Sequence, residues 1–424
     1  MTDSRKSILI FTDWYEPGYK AGGPIQSVRN FVSAMHELYR IFILTSDRDL
    51  GAAEPYPGIP ANEWIPREPG IEVYYATTAT LNLNRIRELI QSKQPDFIYL
   101  NSLYSYRFTI LPLRLLLQKK EILSSVIPPS PSTAKALTTA VGLRRAKPST
   151  VNPNLSSVIH HPSSIILSPR GMLRESAVNH KGFKKKLFIA ALRFLRIPER
   201  LDFHATDEQE VKDIRHHFPR ARRVELIPNF SAPLPASVLR ITKQSGELRC
   251  LYISRIMPIK NIGFFLQVLA ALPASAQLSF DIYGDIEDEK YWQQARRSIA
   301  LLPAGVKVQY HGSLPHEQVV STIAKHHLFV LPTLGENFGH AIFESFAAGR
   351  PVLISDRTPW LNLQDQQLGW DLPLDNPEAW QAALQEAMAA DQETFDRWTV
   401  SCRRFAEGKQ NKAALIEAYT NLFN

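Results

Sequence analysis

Cysteine is almost absent from this 424-residue chain, where Cys250 and Cys402 are the only two. They provide no disulfide framework and no cysteine-built zinc site, and they suggest a reducing compartment. Long apolar runs are missing as well. The first, Ile8-Leu9-Ile10-Phe11, is far too short for a signal peptide or a membrane span. No later segment approaches the ~20 apolar residues that a spanning helix needs. Two nucleotide signatures are also lacking. The absence of G-x-G-x-x-G disfavours a nicotinamide or flavin dehydrogenase, and there is no phosphate-binding P-loop. The expectation is a cytoplasmic protein.

Charge is abundant but uneven. Residues 1–230 hold 32 Lys+Arg against 21 Asp+Glu, and the remainder holds 17 against 20. A basic first half suits anionic lipid, a phosphorylated acceptor or nucleic acid, while a solvated surface with no special partner explains it equally. Nucleic acid is set aside because no base-stacking or groove-reading module accompanies the charge. A peripheral position at the inner face of a membrane remains an option.

The length fits two domains. Short β-rich runs alternate with amphipathic helical stretches, which predicts an α/β protein with parallel sheets. In the first series, strands are expected at Ser7–Thr12, Tyr39–Ser46, Ile71–Ala76, Asp96–Asn101, Ser163–Pro169, Leu201–Thr206 and Arg223–Asn229. After Pro228 the periodicity fades into a linker. A second series then places strands at Leu248–Ser254, Leu278–Tyr283, Val306–Tyr310, Leu328–Leu331 and Pro351–Ser355. We therefore expect a first domain over 1–230, a linker over 231–246, a second domain over 247–400, and terminal helices over 401–424 that pack back on the first domain. The Ser/Pro/Thr-rich segment near 121–162 breaks the rhythm and reads as disordered or as a lid. Within it, Ala134–Lys147 has some character of a basic amphipathic helix.

The strongest chemical signal runs from Gly335 to Glu344, with Glu336, Asn337, Phe338, Gly339 and His340 between a strand and a helix. A helix N-terminus offers free N–H groups and partial positive charge, suited to phosphate or to a developing leaving-group charge. Glu344 lies on that helix, and His340, Ala341, Ala347 and Ala348 on its face leave room for a polar ligand. Taken alone, Glu344 reads as a solvent-facing residue, but together with Glu336, the glycines and the strand–loop–helix context it reads as part of a ligand site. A second constellation, Arg255 and Lys260, follows the first strand of the second series and makes a plausible diphosphate clamp. The third is Gly22-Gly23 ahead of a helix, where a backbone can approach phosphate or sugar closely.

These three motifs, in this order and domain placement, resemble glycosyltransferase family 4, whose members have the GT-B fold of two doubly wound Rossmann-like domains with an inter-domain cleft. Further likeness lies in Ser168-Pro169-Arg170-Gly171, in Phe203-His204-Ala205-Thr206 with Glu210, in Ile227-Pro228-Asn229 and in Gly349–Asp356. The resemblance implies retaining transfer from a nucleotide-diphosphate sugar to a polysaccharide, lipid-linked oligosaccharide or glycolipid. It implies that Arg255 and Lys260 bind and stabilise the diphosphate, that Glu344 holds ribose hydroxyls, and that Glu336 with Asn337 to His340 positions the sugar under Gly22 and Gly23. Catalytic roles fall to Glu336, Arg255 and Lys260, with no cofactor and no metal. Asn101, Tyr104 and Arg170 are acceptor-side candidates. Two other readings stay open: a non-catalytic sugar-nucleotide-binding protein, and a GT-B enzyme acting on a soluble sugar or phosphate.

Weaker signals carry bland readings. Asp47-Arg48-Asp49 imitates a metal-binding D-x-D but is expected to be an ordinary loop. The pairs His160-His161, His216-His217 and His326-His327 lack zinc-site spacing and read as surface or loop histidines. The acidic run Asp285–Glu289 is expected to cap and solvate the next helix. Trp14, Trp64 and Trp360 either line an acceptor crevice or pack.

Overall fold

In the computed structural model, residues 4–117, 164–179 and 182–424 are described. Segment 121–162, with its candidate helix and His160-His161, lies outside them. The described chain divides into two compact units. The first takes the described residues within Met1–Pro17, Phe31–Pro228 and Leu415–Asn424, and the second takes Gly18–Asn30 and Asn229–Ala414.

The first unit holds an eight-stranded sheet in the order β3-β4-β2-β1-β5-β6-β7-β8. Its strands are β1 (Ser7–Phe11), β2 (Arg40–Ser46), β3 (Trp64–Glu68), β4 (Ile71–Ala76), β5 (Phe97–Leu100), β6 (Ser164–Leu167), β7 (Asp202–Ala205) and β8 (Arg223–Leu226). All neighbours run parallel except β3 and β4. Every residue of β1 is buried, as expected of a central parallel strand covered on both faces. The sequence pattern does not reveal β3, because Trp-Ile-Pro-Arg-Glu is mostly exposed and carries a proline. Proline is tolerated there because the strand is at the edge.

The second unit holds a six-stranded parallel sheet in the order β11-β10-β9-β12-β13-β14. These strands are β9 (Glu247–Ile253), β10 (Gln277–Tyr283), β11 (Val306–Tyr310), β12 (Leu328–Leu331), β13 (Val352–Ser355) and β14 (Gly369–Leu372). Counted within the unit, the order is 3-2-1-4-5-6, that of dinucleotide-binding Rossmann sheets. All five expected strands occur, and β14 is the addition.

Helices used below are α1 (Gly23–Met35), α2 (Leu83–Lys93), α3 (Leu111–Leu116), α4 (Glu175–Asn179), α5 (Gly182–Phe194), α6 (Glu208–His217), α7 (Ile262–Ala270), α8 (Glu289–Ile299), α9 (His316–Ile323), α10 (His340–Ala347), α11 (Pro377–Ala389), α12 (Gln392–Lys409) and α13 (Lys412–Leu422). Side chains of Asn82, Asp207, Asp288, Asn376 and Asp391 cap five of them at free N–H groups. Among the described residues, no helix is long and apolar enough to cross a membrane.

Two unit limits differ from expectation. Gly18–Asn30 groups with the second unit rather than with 1–230, because Ser27 bonds His340 and Asn30 donates to the Phe230 carbonyl. Residues 401–414 also stay with the second unit, because α12 continues to Lys409 and Phe405 packs on Phe346 and Trp360. Leu415 onward belongs to the first unit, where Phe423 packs among Phe31, Tyr39 and Phe97.

Candidate functional site

In a 3-2-1-4-5-6 sheet the connections leave the central pair in opposite directions, opening a crevice at the strand carboxyl ends. Here the central pair is β9 and β12. Beyond β9 come Arg255 and Lys260; beyond β12 comes the Gly335–Gly339 turn. The two loops are tied together. Leu334 N donates to Ile259 O at 2.8 Å, and Thr333 Oγ1 to the same carbonyl at 3.1 Å. This frame brings Lys260 Nζ to 2.5 Å from Glu336 Oε2.

Burial alone would raise the Glu336 carboxyl pKa. The Lys260 ammonium, its hydrogen bond and the Asn337 N–H outweigh that and hold it below the usual carboxylate range. Glu336 is therefore an anion, fixed beside a cation at the mouth of a helix. Arg255 is engaged differently, since its Nη1 lies 2.5 Å from Glu287 Oε2. The loops after β9 and β10 approach so closely that a Cβ at Gly284 would sit 1.9 Å from Ser254 O. Within the acidic run, Asp288 caps α8 as expected. Asp285 and Glu287, however, hold Ser313 and Arg255 rather than only meeting solvent.

Gly339 opens α10 with φ +76°, and a Cβ there would lie 2.8 Å from Ile342 Cδ1 and 3.2 Å from Glu336 Cγ. Glycine permits both the left-handed turn and the close approach. At the same helix mouth, His340 Nε2 meets Ser27 Oγ at 2.9 Å, and Ser27 Oγ donates to Gly23 O at 3.0 Å. Gly23 is close enough that a Cβ would be 3.7 Å from His340 Cδ2. The Phe338 carbonyl accepts the Trp360 indole N–H at 2.5 Å, so Trp360 packs beneath the turn.

Glu344 is not solvent-facing. It is 3% exposed, and its Oε1 has no hydrogen-bond partner. His316 Nδ1 stands 3.8 Å from that oxygen. Burial pushes the carboxyl up to about 8 against an opposing pull from Arg29, and burial pushes His316 down to about 4. A buried carboxyl oxygen without a hydrogen-bond partner is a costly arrangement, relieved by any ligand that supplies hydroxyl donors.

In the first unit, Arg170 Nε donates to Asn101 Oδ1 at 2.7 Å and Arg170 Nη2 to Tyr99 OH at 2.9 Å. The Tyr99 hydroxyl meets His204 Nδ1 at 2.7 Å, and His204 Nε2 meets Ile227 O at 2.7 Å. Because a carbonyl only accepts, His204 carries its proton on Nε2 and accepts a hydrogen bond from the Tyr99 hydroxyl at Nδ1. Burial, with Arg170 adding to it, drives this histidine to about 3, so it is neutral. Glu210, wholly buried, accepts from Gly171 N at 2.6 Å and from Thr206 N and Oγ1 at 2.8 Å. Tyr104 does not join this chain. Its ring packs on Phe188 and under Lys185, and its buried hydroxyl is unpartnered.

Several functional-looking residues carry no sequence signal of their own. Ser27 reaches the helix mouth, and His316 and the charge of Arg29 reach Glu344, from elements distant in sequence, and Tyr99 alternates inside an ordinary strand. Other expectations need correction. His326 and His327 are buried rather than superficial, bonded respectively to Asp281 and to Arg249 N, because both close the turn ahead of β12. Asp47 is buried and accepts from Thr77 and Arg48, in keeping with a loop role.

Comparison with known proteins fits this geometry. Residues 247–390 match the family model described as glycosyl transferases group 1. A curated relative, the O-antigen chain mannosyltransferase B of Escherichia coli, is 31% identical over 115 residues. That stretch is 26% of this chain and 28% of the relative, so only about a quarter of either protein is compared. Solved structures resemble nearly the whole chain. The sucrose-phosphate synthase of Thermosynechococcus elongatus has a TM-score of 0.65 at 16% identity, covering 99% of this chain and 98% of its own. The Anabaena protein HepE, solved with UDP and glucose, gives 0.61 at 12% identity, covering 99% of both chains. WaaG, a glycosyltransferase involved in lipopolysaccharide biosynthesis, gives 0.57 at 13% identity, covering 98% of this chain and 99% of its own. The fold is that of the GT-B glycosyltransferases, two Rossmann-like domains, and the second carries the match to the group 1 glycosyltransferase domain.

Proposed function

We propose that the protein is a retaining glycosyltransferase that moves a sugar from a nucleotide-diphosphate donor to a polysaccharide, lipid-linked oligosaccharide or glycolipid. The single observation carrying this reading is the arrangement at the β9/β12 switch point. There the Lys260–Glu336 pair stands at the N-terminus of α10, and on that same helix lies Glu344, a buried carboxyl whose Oε1 has no hydrogen-bond partner. Lys260 and Arg255 are the cations for a diphosphate, with Arg255 exchanging its carboxylate partner Glu287 for phosphate oxygens. The Glu344 carboxylate accepts hydrogen bonds from the ribose hydroxyls, while Glu336 and the backbone of Asn337 to His340 hold the sugar beside Gly22 and Gly23.

In this reading, acceleration comes from stabilising the departing diphosphate, through fixed cations and helix N–H groups. The leaving phosphate itself takes the acceptor proton, so the chain supplies no separate general base and needs no metal. Asn101 and Arg170 belong to the acceptor side. The relatives guide the choice of donors, since HepE is solved with UDP-glucose and the curated relative is a mannosyltransferase. Purified protein incubated with radiolabelled UDP- and GDP-sugars, alone and with lipid extract, is expected to release or transfer sugar. Equal turnover by wild type and Glu336→Ala would overturn the assignment of this site.

A further inference from the structure

Helix α5 is apolar on two sides. Phe188, Ile189, Ala191 and Leu192 are buried in the core of the first unit. A second stripe, Phe183, Leu187, Ala190 and Phe194, recurs at i, i+4, i+7 and i+11, the spacing of one helical face. It points outward: Phe183 is 82% exposed and Phe194 60%. The two rings stand about 16 Å apart along the helix at 1.5 Å per residue. Lys186 and Arg193 flank the stripe on one side and Lys184 on the other, all exposed. From Gly182 to Pro198 there is no acidic residue. Lys185 turns away, donating to Ala177 O at 2.6 Å and lying over the Tyr104 ring.

Neither folding nor solubility is served by an outward aromatic stripe on a helix whose other side already fills the core. We propose that this face of α5 docks on an anionic lipid surface, with Phe183 and Phe194 seated among the acyl-chain boundary and Lys184, Lys186 and Arg193 at the headgroups. An apolar stripe bordered by cations is the form of an interfacial helix that lies in the plane of a bilayer. The chain's own segment 118–163 is a poor occupant, since it carries six Lys or Arg and one acid and would be repelled. A nucleic acid fits the cations but gives no purpose to two widely separated phenylalanines on one line. This inference does not depend on the transferase reading.

The test is flotation of the full chain with vesicles of phosphatidylcholine, with and without phosphatidylglycerol, at low and high salt. Binding is expected only with the anionic lipid, and it should weaken in salt. Phe183→Ser with Phe194→Ser should weaken partition roughly tenfold or more. Lys184→Gln, Lys186→Gln and Arg193→Gln should each weaken it about fivefold. Arg296→Gln with Arg297→Gln, exposed on α8 in the second unit, should leave it unchanged. Because all these residues are exposed, unchanged thermal melts will show that the variants are folded. Absence of binding to anionic vesicles, equal loss in the α8 variant, or binding of a single-stranded RNA but not of vesicles would overturn the proposal. Donor hydrolysis measured without lipid separates its failure from failure of the transferase reading.

Discussion

Lys260 Nζ lies 2.5 Å from Glu336 Oε2, two charges from loops 76 positions apart, both largely shielded from solvent. The pair sets the charge state of the helix mouth. Without Lys260, the buried carboxylate loses its chief stabiliser, and its pKa should rise as burial takes over. Lys260→Ala and Glu336→Ala should each lower sugar transfer by about a hundredfold or more, the range seen on removing one preorganised charge-stabilising group. The double variant should lose little beyond the worse single one, because the residues act as a unit. Additive losses in a double-mutant cycle of kcat/KM would show that the pair does not work jointly.

The loops after β9 and β12 are legible in the sequence because their signals are local. A strand, a glycine-bearing turn and a helix follow one another within a few residues, and β-strand periodicity placed β9 and β12 to within two residues. What sequence could not supply is contact between distant elements. Nothing in Gly23–Met35 announces that Ser27 bonds His340, and nothing in His316 announces Glu344. Burial is illegible in the same way. His326 and His327 read as surface or loop residues, yet packing by other elements covers both. The edge strand β3 escaped notice because edge strands need no apolar alternation, and its proline argues locally against a strand.

Three glycines should respond differently to alanine. Gly339→Ala places a methyl 2.8 Å from Ile342 at φ +76° and should cost about 1–3 kcal/mol in urea unfolding, with activity lost alongside. Gly22→Ala meets no neighbour within 4 Å but has φ +64°, so a smaller cost of about 1 kcal/mol is expected from the backbone alone. Gly23→Ala makes an ordinary 3.7 Å contact and should leave stability nearly unchanged. If Gly23→Ala still raises the KM for donor sharply, the space above Gly23 is used by the ligand. An unchanged KM would remove Gly23 from the site.

Acid should destabilise the fold through its neutral histidines. Burial lowers His204 and His327 to about 3 and His316 to about 4, from an ordinary histidine value of 6.5. The unfolded chain therefore binds more protons than the folded one below 6.5, and stability is lost as pH falls through that window toward the folded values. Glu344 acts in the opposite sense. Its folded pKa is raised, so its stabilising contribution is present below the unfolded value of 4.5 and is lost as pH rises toward about 8. Urea midpoints measured against pH should show the acid slope, and His316→Gln should flatten it between about 4 and 6.5. Tyr99→Phe, which removes the hydroxyl linking Arg170 to His204, should cost about 1–2 kcal/mol at neutral pH.

Donor binding should itself release a proton from Glu344. The carboxyl, raised to about 8 by burial, holds its proton at neutral pH in the free protein. Two ribose hydroxyls donating to it favour the carboxylate, so the bound state is the deprotonated one. Affinity for UDP or GDP should therefore rise with pH up to about 8, by as much as tenfold per unit, and then level off. The window from about 7 to 9 lies above the second ionisation of a terminal phosphate, near 6, so the ligand does not obscure it. Titration calorimetry in buffers of different ionisation enthalpy reads the released proton directly. Glu344→Gln should abolish both the slope and the buffer dependence. Arg29→Gln, by removing the pull that opposes burial, should move the slope to higher pH. Binding that is flat across this window in the wild type would show that Glu344 does not meet the ribose.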